Sequence, residues 1–218
     1  MDPHTSAPDV APPGRGGKRT GRPRSAAADR AILQATRDAL AEQGWGQLAL
    51  GDVAARAGVA KTTLYRRWAG KNELVVDAIA ALFEEQLELP DLGSLDADIE
   101  GVVLRFAELI ERPETRTALM AVVAEATHDE ALRLRIRDAI VDRQKHLVLL
   151  GRERAQQRGE LAADGVADPA RDDLIFDVIA GTVVHRVMVS SGPVDREWAR
   201  QLARLLVGGL GALHLPPP

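Results

Sequence analysis

The chain has 218 residues, of which 45% are hydrophobic, a net charge of −4 and no cysteine. That length supports one small domain beside one larger core-forming domain, and the absence of cysteine excludes disulfides and thiolate metal sites, as suits a reducing cytosol. No run of 18 apolar residues and no apolar signal-peptide core is present, so a cytoplasmic protein without a membrane span is expected. The charge is polarised. Residues 1–68 hold 11 Lys and Arg against 6 Asp and Glu, and the remainder holds 17 against 26. A basic N-terminal part on an acidic body orients a molecule toward a polyanion and keeps the body away from it.

From Met1 to about Ser25 the chain is rich in Pro, Gly and Ala without apolar periodicity, and a disordered segment is expected over 1–25. Its basic residues Arg15, Lys18, Arg19, Arg22 and Arg24 cluster. The run Gly21-Arg22-Pro23-Arg24 has the composition of the arginine arms that DNA binders lay in a narrow minor groove, so Arg22 and Arg24 are candidate DNA contacts. A helix is predicted over 26–43, with Ile32, Leu33, Ala35, Thr36, Ala39 and Leu40 on one face and Gly44 as its stop.

Between Leu50 and Trp68 the apolar positions Leu50, Val53, Ala54 and Ala57 recur at helical spacing, Gly58 interrupts, and Val59, Leu64 and Trp68 continue. This predicts two short helices around a tight turn, with Gly58 where positive φ favours a residue without Cβ. Ala54 and Ala57 let the helices cross closely. The second helix turns Lys61, Thr62, Thr63, Tyr65, Arg66 and Arg67 away from the apolar side, a dense set of base-edge and phosphate partners within about two turns. Tyr65 and Lys61 or Thr62 are expected at bases or flanking phosphates, and Arg66, Arg67, Arg22 and Arg24 at phosphates or the minor groove. Such a pair is a helix-turn-helix, at 49–68, whose second helix enters a major groove.

Residues 26–75 resemble the DNA-binding domain of the tetracycline-repressor (TetR) family of transcriptional regulators. The resemblance is carried by the helix Ile32–Glu42 ending at Gly44, Asp52-Val53-Ala54, Ala57-Gly58-Val59, Thr63-Leu64-Tyr65, Trp68, Lys71 and Leu74. One departure is Ala60, where the family usually has a Ser that caps the recognition helix; a missing cap costs about 1 kcal/mol unless Thr62 or Thr63 substitutes. The resemblance implies an all-α protein, with a three-helix helix-turn-helix DNA-binding domain over 26–86 and a helical C-terminal regulatory and dimerisation domain over 87–218. It also implies a homodimeric repressor on a palindromic double-stranded DNA operator, released by a small-molecule effector. The alternative is a DNA-binding dimer controlled by a protein partner, and a closed apolar pocket in the body would favour the small molecule.

A helix is predicted from Lys71, with Leu74, Ala78, Ile79, Leu82, Phe83 and Leu87 on one face, ending before Pro90. In the family this helix links the DNA-binding domain to the body. Further helices are predicted over 94–111, 113–127 and 129–159, the last a single long amphipathic helix whose arginines interleave with acids as a solvated face. Phe83, Phe106, Met120, Val123, Leu147, Leu150, Phe176 and Ile179 are the candidate pocket wall.

Pro169 opens a helix whose stretch from Leu174 to Val189 is apolar nearly all round, and Asp195 caps a final helix to Gly208. A helix that needs cover on every side near a chain end predicts a second subunit. Its candidate interface residues are His185, Arg186, Val187, Trp198, Leu202 and Leu205. His4, His128, His146, His185 and His214 show no i,i+4 pairing and no metal-ligand spacing to acids, and there is neither a nucleophile elbow nor a phosphate-binding Gly loop. No enzyme, metal or cofactor is expected.

Overall fold

A computed structural model describes residues 22–162 and 168–212, with side chains from 26 to 162 and from 168 to 209. All its regular elements are helical. Helix α1 (Arg22–Gln47) begins four residues earlier than the periodicity suggests, because Pro23 has the backbone angle of a first helical turn. The backbone of Arg22 and Arg24 is therefore helical where a disordered arm was expected; their side chains, and all of residues 1–21, lie outside the described residues. At Gly44 the helical geometry breaks with φ 72° and ψ 177°, the stop that the sequence placed there.

Helices α2 (Leu50–Arg56) and α3 (Lys61–Tyr65) follow, with Gly58 between them at φ 66°. Val53, Ala54, Leu64 and Trp68 are buried with Ile32, Ala39 and Leu40 in a hydrophobic core that continues into the rest of the chain. Helix α4 (Lys71–Gln86) buries Leu74, Val75, Val76, Ala78, Ile79, Ala80, Leu82 and Phe83. That is far more than one face, because α1, α6 and α7 all lie against it.

Helix α5 (Leu95–Glu111) starts at Ser94, whose hydroxyl accepts from the Ala97 N–H at 3.3 Å. Helix α6 (Pro113–Ala126) packs on α1 and α4 through Thr115, Ala118 and Val122. The single helix predicted over 129–159 is broken. It consists of α7 (Glu130–Ile136), a π turn (Arg137–Val141), α8 (Asp142–Gln144), a break at Lys145 and α9 (His146–Gln157). The inward positions Leu132, Ile136, Ile140 and Gln144 are spaced by four. On a 3.6-residue helix each such step drifts by about 40°, and one wider i→i+5 turn returns the row to the core.

Helix α10 (Pro169–Val184) is capped by Asp168, runs into a second π turn (His185–Val189), and is followed by α11 (Arg196–Ala212), where Asp195 accepts from the Trp198 N–H at 2.8 Å. Ala199, Leu202, Ala203 and Leu206 seat α11 on α5. Two expected interface residues are thereby corrected: Val187 and Leu202 are only 5% and 6% exposed within one chain. They serve its own core, because the i,i+3/i+4 row that meets α5 takes them first. Among the described residues no helix is long and apolar enough to cross a membrane.

Candidate functional site

The short helix α3 is held from beneath by Leu64, which is fully buried, and by Trp68 just past its end. Lys61, Thr62, Tyr65 and Arg66 consequently stand in solvent, Tyr65 at 54% exposure, on one continuous surface. Thr63 is half-buried. Arg67, expected at a phosphate, instead turns back and forms an ion pair with Asp29 of α1, so it braces the domain from within. No side chain caps α3 at Ala60, and neither Thr62 nor Thr63 takes over. The first turn relies on backbone bonds such as Thr63 N–H to Ala60 C=O at 2.9 Å.

One carboxylate links the recognition unit to the body. Asp77 Oδ2 on α4 accepts from Trp68 Nε1 at 2.8 Å and from the Arg135 guanidinium of α7, also at 2.8 Å. Nearby, Lys71 lies 4.3 Å from the centre of the Trp45 ring and donates to the Trp45 carbonyl. Burial there lowers the Lys71 ammonium pKa, opposed by Glu125. Arg37 of α1 donates to the Ala78 carbonyl at 3.1 Å, and Arg143 of α8 pairs with Glu84. Helix α4 thus has polar ties on one side to the DNA-facing helices and on the other to the segment around the first π turn.

That segment also forms part of the wall of a cavity of about 230 Å³ in the body, together with α4, α5, α9 and α10. Phe83 of α4, Leu87 just past its end, Phe106, Leu147, Phe176 and Ile179 line it, and the Phe83 and Phe106 rings meet edge to face at 5.8 Å. Three expected wall residues are elsewhere. Met120 and Val123 are each 55% exposed, because α6 turns Ala118 and Val122 inward and carries these two on its other face. Leu150 is half-buried against the core and does not reach the cavity. The sequence reading missed Ile136, Ile140, Gln144 and Arg152; a four-residue spacing ending in a polar residue was the available signal for Gln144.

At the far end of the body, α10 exposes Leu174 and Gly181, the second π turn exposes His185 and Val189, and α11 exposes Leu205, with Leu205 at 72%. Arg186 and Trp198 are partners within the chain, the guanidinium 5.6 Å from the indole centre and donating to the Pro193 carbonyl at 3.2 Å. His185 Nδ1 lies 3.2 Å from the Ser190 hydroxyl.

Residues 32–78 match the family model of bacterial regulatory proteins of the tetR family, and residues 89–206 match that of the tetracyclin repressor-like C-terminal domain. A DNA-binding transcriptional repressor TetR of Mycobacteroides abscessus is 32% identical over 171 residues, covering 76% of this chain and 84% of the relative. An uncharacterised helix-turn-helix-type transcriptional regulator of Mycobacterium tuberculosis is 29% identical over 173 residues, covering 78% and 81%. The crystal structure of a TetR-family transcription regulator superposes with a TM-score of 0.70 at 27% identity, covering 87% of this chain and 99% of that one. The regulator FadR of Bacillus subtilis, crystallised with stearoyl-CoA, shares the fold alone, at TM-score 0.57 and 20% identity over 83% of this chain and 98% of its own. With its exposed α3 surface over a matching helix-turn-helix and a matching helical body, the chain belongs to the tetR family and is a DNA-binding transcriptional regulator, not an enzyme.

Proposed function

We propose that this protein is a repressor that binds a palindromic operator as a homodimer and leaves it when a small apolar effector enters the body cavity. In this reading residues 26–86 form the DNA-binding part and 87–218 the regulatory and dimerisation part, acting in the cytoplasm. Lys61, Thr62, Thr63 and Tyr65 reach bases or flanking phosphates, and Arg66, Arg22 and Arg24 meet phosphates. The exposed Leu174, His185, Val189 and Leu205 face their copies across a two-fold axis.

The single observation that carries this reading is the wall shared between the cavity and α4: Phe83 lines the cavity, and Asp77 on the same helix holds Trp68 behind the recognition helix. A molecule wedged against Phe83 moves α4, and α4 moves α3. Two recognition helices read successive major grooves on one face only when about 34 Å apart, so a shift of a few ångströms is enough to spoil the match. A differential affinity of about 1–3 kcal/mol between the two arrangements changes operator binding roughly 5- to 150-fold, and operator DNA weakens effector binding by the same factor.

The test is a paired screen. Small apolar compounds are ranked by how far they raise the melting temperature, and each is then added to the complex of the protein with DNA from its own upstream region, followed by fluorescence anisotropy. Compounds that stabilise the protein also release the DNA, in the same rank order. If the stabilising compounds leave operator affinity unchanged, control passes to a protein partner and the effector reading is wrong.

A further inference from the structure

The wall of the cavity holds a polar side chain, Gln144, whose oxygen finds no partner among the described residues. Gln144, the last residue of α8, is 3% exposed and lines the cavity, yet its Oε1 has no hydrogen-bond partner. A buried amide oxygen without a partner lowers stability relative to an aliphatic side chain of the same size, so the folded protein gains nothing from it. A trapped water is a poor substitute, since it needs two to four polar partners and most of the wall is aliphatic or aromatic.

The amide is also held in place on both sides. Arg143 pairs with Glu84 of α4, and the Lys145 ammonium reaches Asp142 at 3.0 Å and Asp173 of α10 at 2.7 Å. The two arginines of the wall are engaged. Arg152 donates to Asp172 at 2.6 Å and Arg171 has contacts of its own. No waiting cation therefore calls for an anionic ligand. A volume of 230 Å³ corresponds to about eight waters at ~30 Å³ each, or a ligand of roughly ten non-hydrogen atoms.

We propose that Gln144 is the specificity-determining contact of the effector, and that the effector is a neutral, mainly apolar molecule with one hydroxyl or N–H that donates to Gln144 Oε1. This rests on the cavity being the effector site. The polar end of the ligand then lies next to the Arg143–Glu84 tie, where its presence is passed to α4.

Three probes of one shape separate the possibilities: 4-propylphenol, which can donate, 4-propylanisole, which cannot, and 4-propylbenzoate, which is charged. Their affinities for the full chain and for Gln144→Leu are measured by titration calorimetry. The full chain binds the phenol roughly 3- to 10-fold tighter than the anisole, the worth of one net hydrogen bond, and binds the benzoate more weakly than either. In Gln144→Leu the phenol and the anisole bind about equally, and the melting temperature of the free protein rises. Gln144→Met repeats the measurement with an unbranched side chain should the Leu variant fold poorly. Equal phenol and anisole affinities in the full chain, or a phenol preference that persists in the variants, overturn the role of Gln144 while the cavity remains a binding site. If none of the three binds the full chain, the proposal and the cavity reading fall together.

Discussion

Replacing Asp77 by Ala removes one polar link between the recognition unit and the body, and the structure sets its size. Asp77 Oδ2 accepts from Trp68 Nε1 and from Arg135, each at 2.8 Å. Trp68 is only 5% exposed, so its indole N–H loses a partner it cannot fully replace with water, at a cost of about 1–3 kcal/mol. The Asp77 and Arg135 side chains are 29% and 37% exposed; at that exposure the ion pair adds only about 0.2–1 kcal/mol. The sum is about 1–4 kcal/mol, which for a chain of this length corresponds to a melting temperature lower by roughly 2–16 °C. Thermal unfolding followed by circular dichroism measures it, and a cycle with Trp68→Phe apportions it. In the Trp68→Phe background the donor is already gone, so Asp77→Ala should cost about 1 kcal/mol less than in the wild type. A shift below about 1 °C for the single variant, or an unchanged cost in that background, would show that the carboxylate does not join the two parts.

Three other perturbations are informative. Leu205→Glu places a charge on the exposed face of α11 and should convert the proposed dimer to monomer in sedimentation, with operator affinity falling alongside; Val187→Asp, inside the chain's own core, should instead destabilise the chain itself by the several kcal/mol of an unpaired buried charge, read as a lower melting temperature. Arg22→Ala and Arg24→Ala should each lower the salt slope of operator binding by about one without altering the preferred sequence, and unchanged slopes would remove both residues from the contact surface. Hydrogen bonds from Lys145 to Asp173 and Asp142 raise its ammonium pKa above the ordinary 10.5. Its stabilising contribution is therefore fully present below pH 10.5 and lost as pH rises through the higher folded value, so the deficit of Lys145→Met in urea melts should hold constant from neutral pH upward and vanish only beyond 10.5.

The all-helical class, the order of the helices and the outward face of α3 were legible in the residues because each depends on local rules. Apolar spacing of three and four marks the buried faces, Gly44 and Gly58 adopt the positive φ expected at their turns, and Ser94, Asp168 and Asp195 cap the helices that follow them. Lys61, Thr62, Tyr65 and Arg66 face outward for the same reason, since Leu64 and Trp68 fix which side of α3 is buried. Periodicity says that a residue is apolar and on a stripe; it does not say what that stripe meets. Leu202 and Leu205 read alike in sequence, yet one seats α11 on α5 and the other stands in solvent. Met120 and Val123 likewise look like wall residues until α1 and α4 take the opposite side of α6. The π turn at 137–141, the pairing of Arg67 with Asp29 and the unpartnered Gln144 follow from how separate helices fill one volume. Close packing is a property of the whole assembly of side chains rather than of any one segment, so these features had to wait for the folded arrangement.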